Sequence, residues 1–214
     1  MDKKTFIKVV SDARKESKKR NFSQKFDLII NLENIDLKKQ QVDFYATLPH
    51  LRGKQLRTCA LVGLELADEA KANCTKTLTQ EEFVQFQKKR DIVKLADEFD
   101  FFIAQANIMA KVATVFGRVL GPRNKMPNPK AGCVVPPKTN LRPLIERLEK
   151  TVRVQAKKQL LIQVMVGSEE MPDDAVAENA ASVADQLIHH LPGGKNNVKS
   201  MYLKTTMGKA VKVA

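Results

Sequence analysis

The chain has 214 residues, 43% of them hydrophobic, enough for one large or two small domains with buried cores. Its net charge of +13 points to a polyanionic partner, nucleic acid before an anionic membrane surface. No apolar run is long enough to span a bilayer, and the lack of Trp with only 6% aromatics disfavours an extended base-stacking platform.

Residues 2–19 read as a helix. Phe6, Val9, Val10 and Ala13 form its apolar stripe, and lysines and arginines surround the other side as a largely solvated face. The polar break Asn21-Phe22-Ser23-Gln24 that follows is better placed for a backbone contact. Phe26, Leu28, Ile30 and Leu32 then alternate with Asp27, Asn31 and Glu33, and Val42, Phe44, Ala46 and Leu48 repeat the pattern. Two half-buried strands joined by NIDLKKQQ are expected to pair antiparallel. Leu48-Pro49-His50-Leu51-Arg52-Gly53-Lys54 is rich in turn residues and marks a candidate domain boundary.

Beyond it the pattern changes. TCALVG is a short continuous apolar run, as in a buried parallel strand. Glu65–Asn73 and Gln80–Glu98 read as helical, Phe101–Ala104 as a second buried strand, and Ile108–Phe116 as a short helix. Phe116–Gly132 then collects three glycines, three prolines and the bases Arg118, Arg123, Lys125 and Lys130, with no carboxylate. Six of the nine prolines fall between Pro122 and Pro143, so the segment is expected to be neither regular helix nor central strand. A long basic loop of this kind suits an anionic ligand; a solvated connection whose Gly and Pro only make turns is the alternative. Leu141–Lys150 reads as a helix and Thr151–Val154 as extended.

Leu160, Ile162, Val164 and Val166 alternate again, and Gly167-Ser168 ends that strand. Met171-Pro172-Asp173-Asp174 opens a helix with acids in its first turn, where the dipole favours them. Val176, Ala180, Val183, Leu187 and Leu191 form its stripe, and Pro192-Gly193-Gly194 stops it. In the last strong strand, Ser200–Thr206, Met201 and Leu203 point one way and Ser200, Tyr202, Lys204 and Thr206 the other.

The two ends thus share one character and the middle has another. The expected fold is an α+β terminal domain, a split β-α-β sandwich made of both termini, with an inserted three-layer α/β Rossmann-like domain. The boundaries are 1–55 plus 153–214 for the terminal domain and 56–152 for the insert. The terminal domain carries 21 bases against 13 acids. In the insert, residues 117–150 carry 8 against 2, and residues 56–116 carry 8 against 9. Positive charge therefore sits on the terminal domain and on one loop-helix unit of the insert.

Catalytic chemistry is poorly supported. Neither GxGxxG nor GxxxxGK[ST] occurs. Cys59, Cys74 and Cys133 are widely spaced, without CxxC, and read as reduced thiols. His50, His189 and His190 show no metal-ligand spacing with them. His50 reads as a turn residue before a general base. No catalytic residue, metal or cofactor is expected. A nucleotide-binding enzyme built on the insert is the alternative, motivated only by its strand–helix order. The face Ser200, Tyr202, Lys204, Thr206 is more informative, because hydroxyls and an amine on one side of a strand can bond ribose and phosphate oxygens. An ordinary solvent-facing strand is the bland reading. Met207-Gly208 adds an adaptable apolar contact and a close backbone approach.

LGPRNKMPNP at 120–129, TTMG at 205–208 and LPH at 48–50 resemble the universal large-subunit ribosomal protein L-one family over essentially the whole chain. The short N-terminal region and NFSQKFD look more like archaeal than bacterial members. Leu51, Asn124 and Lys209 stand where the family usually or often has glycine, glycine and proline. The resemblance implies a non-enzymatic cytoplasmic protein, a monomer off the ribosome and with no membrane partner. It implies binding to the rRNA of the mobile stalk near the exit-site tRNA, and to its own mRNA as a translational repressor. Carried over by position, the RNA contacts are Lys25, Phe26, Gly167, Ser168, Ser200, Thr206, Met207 and Gly208. Arg118, Arg123, Lys125 and Lys130 become a secondary contact.

Overall fold

Helix α1, Lys3–Lys15, buries Phe6, Val9, Val10 and Ala13, the stripe read from the sequence. It stops four residues before the expected end, because Ser17 Oγ and the Lys18 carbonyl turn to accept hydrogen bonds from Gln24. The structure is a computed structural model and describes residues 3–36, 40–53, 56–86, 88–157 and 159–213. In chain order there follow β1 (Lys25–Leu32), β2 (Val42–Thr47), β3 (Thr58–Val62), α2 (Ala67–Asn73), β4 (Lys76–Thr79) and α3 (Lys89–Glu98). Then come β5 (Phe101–Gln105), α4 (Met109–Leu120), β6 (Val134–Val135), α5 (Arg142–Glu149) and β7 (Thr151–Ala156). Last are β8 (Leu161–Ser168), α6 (Asp173–His190), β9 (Val198–Thr205) and β10 (Val211–Lys212).

The chain divides into two compact units, Met1–Lys54 with Lys150–Ala214, and Gln55–Glu149. The return boundary lies before 153 because Thr151–Ala156 is one strand, paired along its whole length with β2.

In the terminal unit, four antiparallel strands run in the order β10-β9-β1-β8, and β2-β7 form a separate pair. The expected pairing of the first two strands does not occur. β1 is the central strand, bonded on one edge to β8 and on the other to β9, so it has no edge left for β2. Residues 37–39 of the expected connection lie outside the described residues, as do residue 2 of the expected first helix and residue 54 of the turn-rich boundary. One face of β1 is buried without exception at Phe26, Leu28, Ile30 and Leu32, and it packs with α1 and the α6 stripe into one core. Leu160 is excluded from its strand, which starts one residue later. Thr206 likewise lies past the end of β9, in a turn.

In the inserted unit all strands are parallel, in the order β4-β3-β5-β6. β3 is buried at every position, as its unbroken apolar run predicts. Alternate residues Cys59, Leu61, Phe102 and Ala104 pack with α3 and α4, while Ala60 and Ile103 are buried on the opposite face. The sheet is therefore covered on both sides. Right-handed crossovers produce this arrangement, since β3→β4 runs one way along the sheet and β4→β5→β6 the other. β4 was missed from the sequence because only Leu78 of its four residues is buried. The expected helix over 80–98 is broken into a 3-10 turn, Gln80–Gln85, and α3. The Phe116–Gly132 segment is also corrected in part. Its first five residues are the last turn of α4, because helix is excluded only from Pro122 onward and a glycine at 117 faces open space.

Candidate nucleic-acid interface

Because β1 is antiparallel to both neighbours, its first residues meet the last residues of β8 and β9. Lys25 stands opposite Ser168, and Phe26 stands between Gly167 and Thr205. One end of the sheet thus gathers Lys25, Gly167, Ser168, Thr206, Met207 and Gly208 from three distant stretches of chain.

Buried polar side chains hold this end. Gln24 is almost fully buried. Its Nε2 donates to Ser17 Oγ at 2.8 Å and to the Lys18 carbonyl at 3.1 Å, and its Oε1 accepts the Met207 N–H at 3.3 Å. Thr205 adds a hydroxyl bond to Ser17 at 3.1 Å. Thr206 Oγ1 accepts the Lys25 N–H at 2.9 Å and donates to the Lys25 carbonyl at 3.3 Å, extending the β1–β9 ladder by one rung through a side chain. The Gly208 N–H closes the turn on the Thr205 carbonyl at 3.1 Å. A Cβ at 208 would lie 2.2 Å from Thr205 Oγ1, so the turn itself requires glycine there. On the other side, Lys25 Nζ donates to the Gly53 carbonyl at 3.2 Å and lies 3.4 Å from Ser168 Oγ. Arg14 donates to the carbonyls of Glu169 and Met171, pairs with Asp173 and stacks over the Phe26 ring.

These contacts divide the expected residues by access. Thr206 and Met207 are exposed, Met207 at 61%, and Lys25 and Gly208 are partly exposed. Phe26 is fully buried, so its ring serves the core and only its backbone lies at the interface. The signal was present in the sequence, since Phe26 belongs to the alternating apolar face of β1. Ser168 is also buried, bonded to Ser23 at 3.1 Å. Gly167 faces inward: a Cβ there would lie 2.9 Å from Val176 Cγ2, so glycine lets α6 pack against β8. Ser200 lies away from this cluster. It pairs with Asn31 and accepts its Nδ2–H at 2.8 Å, six residues and roughly 20 Å along the strand from Thr206. Between them on the same face, Tyr202 and Lys204 stand opposite Ile29 and Asp27. Partial burial raises the Asp27 carboxyl above its usual range, and Lys204 opposes that shift.

Phe22 lies in the polar break expected to make a backbone contact, but it is not among the RNA contacts that the resemblance implies. It is 52% exposed in the loop before β1 and lines a shallow pocket of about 360 Å³ with Lys19, Arg20, Asn21, Ser23 and two glutamates. A large aromatic in a polar break, outside any apolar stripe, was the available signal. Lys18, Lys19, Arg20 and Lys209 add exposed positive charge to the segments that build this end.

The four bases of the inserted unit are unequal. Lys125 Nζ donates to the carbonyls of Ala96 and Phe99 at 2.6 and 2.8 Å, closing the C-terminal end of α3. Arg123 pairs with Asp97. Arg118 and Lys130 are exposed. Asn124 adopts φ +57°, the left-handed conformation that asparagine tolerates and glycine favours.

Catalytic readings find little here. Burial pushes the Cys59 thiol up to about 12 and the Cys133 thiol to about 11, so both are inert at neutral pH. His50 is anchored to Asn179 and paired with Glu178, consistent with a turn residue. Among the described residues no group of His, Cys, Asp and Glu can hold a metal. At the C-terminal ends of β3 and β4, where open α/β sheets bind phosphates, side chains of the protein already engage two backbone turns. Gln105 Oε1 accepts the Gly63 N–H at 2.8 Å, a Thr79–Glu82 capping box serves the next turn, and Glu65 and Glu81 repel anions.

Comparison with known proteins gives the class first: the relatives are proteins of the large ribosomal subunit. The chain belongs to the ribosomal protein L1p/L10e family, whose model matches residues 14–209. It is 42% identical to the large ribosomal subunit protein uL1 of Thermococcus kodakarensis over 216 residues, covering 99% of this chain and 98% of that one. The uL1 of Nanoarchaeum equitans is 45% identical over 203 residues, with 93% and 95% covered. That of Methanobrevibacter smithii is 42% identical over 211 residues, with 97% of each covered. All three relatives are archaeal. The family is one of ribosomal proteins, not of enzymes, and the nucleotide-enzyme alternative is withdrawn. No helix among the described residues is long and apolar enough to cross a membrane.

Proposed function

We propose that this protein is a non-enzymatic constituent of the large subunit of the cytoplasmic ribosome. It binds the rRNA of the mobile stalk near the exit-site tRNA, through the sheet end built by Lys25, Thr206, Met207 and Gly208. Phe22 joins this surface, and Phe26, Gly167 and Ser168 support it from beneath. The terminal unit is the RNA-binding domain, and Arg118 and Lys130 of the inserted unit supply a secondary contact. The same surface binds the protein's own mRNA and represses its translation. Off the ribosome the protein is a monomer.

The observation that carries this reading is an exposed turn held by a buried glutamine, with exposed bases on the segments that build it. A-form RNA offers ribose hydroxyls and base edges in a shallow groove, which suit a fixed hydroxyl, backbone and apolar tip better than a mobile lysine run. The lysines add salt-dependent affinity without sequence information. The test is filter binding of a stalk rRNA fragment to Met207→Ala and Thr206→Ala proteins across a salt series. Met207 is exposed, so its loss leaves the fold intact. Each substitution is expected to weaken binding about tenfold, roughly 1.4 kcal/mol. Unchanged affinity would remove the turn from the interface. Displacement of mRNA by rRNA tests the shared surface; simultaneous binding refutes it.

A further inference from the structure

The two most exposed large apolar side chains of the described residues lie outside the terminal unit. Leu64, at 71%, and Val84, at 69%, both belong to the inserted unit. They mark two neighbouring hollows that share Gln80 and Glu81. One, of about 830 Å³, is lined by Phe83, Val84, Phe86, Lys111, Thr114 and Val115. The other, of about 410 Å³, lies at the C-terminal ends of the parallel strands beside Leu64, Glu65 and Gln105. The larger hollow has an ordered aromatic floor, because Phe83 and Phe86 both pack on the fully buried Phe116, with ring centroids 5.2 and 5.6 Å away. One wall is a helix face, since Lys111, Thr114 and Val115 are spaced i, i+3, i+4 on α4.

Charge separates this groove from the rest of the molecule. Residues 56–116 carry nine acids against eight bases in a chain of net charge +13. Glu65 and Glu81, against Lys111 alone, are the exposed charges that line the two hollows, so the groove is net acidic and disfavours RNA phosphates. The larger hollow is lined by the 3-10 turn, Phe86 and α4, with no strand residue, so an extended peptide has no sheet edge to pair with inside it.

We propose that this groove docks a helix of a partner protein, one that lays apolar residues on Phe83, Val84, Phe86 and Val115 and carries Lys or Arg toward Glu81 and Glu65. One helical wall, a 3-10 turn opposite it and an aromatic floor accept a helix in the ordinary manner of helix-in-groove recognition. The basic edge of the partner follows from charge complementarity, which also sets this surface apart from the RNA interface. The inference does not depend on which RNA the terminal unit binds.

The test uses the full chain and two synthetic helical peptides. Both carry leucines at i, i+4 and i+7; one is edged with lysines, the other with glutamates. Amide NMR titration of the lysine-edged peptide is expected to shift resonances of residues 64–65, 80–86 and 111–115. Val84→Glu is expected to weaken binding about tenfold, and Glu81→Lys severalfold. Neither changes stalk RNA affinity, and saturating RNA does not displace the peptide. Equal binding of the glutamate-edged peptide would overturn the proposed charge. Shifts confined to the sheet end, no shifts at all, or RNA shifting the groove resonances would overturn the site. Concentration-dependent dimerisation abolished by Val84→Glu would assign the groove to a second copy of the chain and overturn the proposed partner.

Discussion

Replacing Gln24 by alanine separates order at the RNA surface from charge at the RNA surface. The side chain is buried, so it cannot itself contact RNA. It makes two good hydrogen bonds, to Ser17 and Lys18, and a longer one from the Met207 N–H. At about 1 kcal/mol each, less for the long one, their loss costs about 2–3 kcal/mol of stability. The Met207 turn keeps its Gly208–Thr205 bond, so it loosens without unfolding. Re-ordering one backbone residue on binding costs about 1–2 kcal/mol. Stalk RNA affinity is therefore expected to fall about 5- to 30-fold. The slope of log affinity against log salt stays unchanged, because no phosphate-neutralising cation has been removed. By contrast, Lys19→Ala and Arg20→Ala flatten that slope. Urea unfolding confirms that the variant remains folded. Full affinity in a folded Gln24→Ala protein would refute the idea that the ordered turn is the recognition element. A flattened slope would mean that the substitution acts through charge.

Two further outcomes follow from packing and ionisation. Gly167→Ala is expected to destabilise the terminal unit by about 1–3 kcal/mol, since the new methyl meets Val176 Cγ2 at 2.9 Å. Adding Val176→Ala recovers part of that loss in urea unfolding, and no recovery would show that glycine is needed there for another reason. Glu178 is held below its usual range, by the Lys3 hydrogen bond first and His50 second. A depressed carboxylate stabilises the fold above its unfolded value and loses that contribution as pH falls through its folded value. Glu178→Gln is therefore expected to lower stability at neutral pH and to flatten the acid limb of a stability–pH curve below pH ~4.5. An unchanged acid limb would refute the pairing.

Periodicity alone located the strands and helices that have one strong apolar face. Phe26 to Leu32 in β1, the buried run of β3 and the stripe of α6 lie where the alternation and helical spacing put them. The family too was legible, because LGPRNKMPNP and TTMG are local strings. What depends on distant neighbours was not legible, whether a weakly buried element or a strand's pairing partner. β4 buries a single side chain, and β2 finds its partner in β7, more than a hundred residues away. Register was equally hidden. Only the antiparallel pairing of β1 with both β8 and β9 decides that the Thr206 hydroxyl meets the Lys25 backbone while Ser200 sits at the far end. The physical reason is that side-chain patterning along a chain reports which face is buried, whereas pairing partners, and hence which residues meet at a surface, depend on contacts between segments remote in sequence. Tertiary structure alone therefore buried Ser168, exposed Phe22 and Met207, and committed Lys125 to closing a helix end.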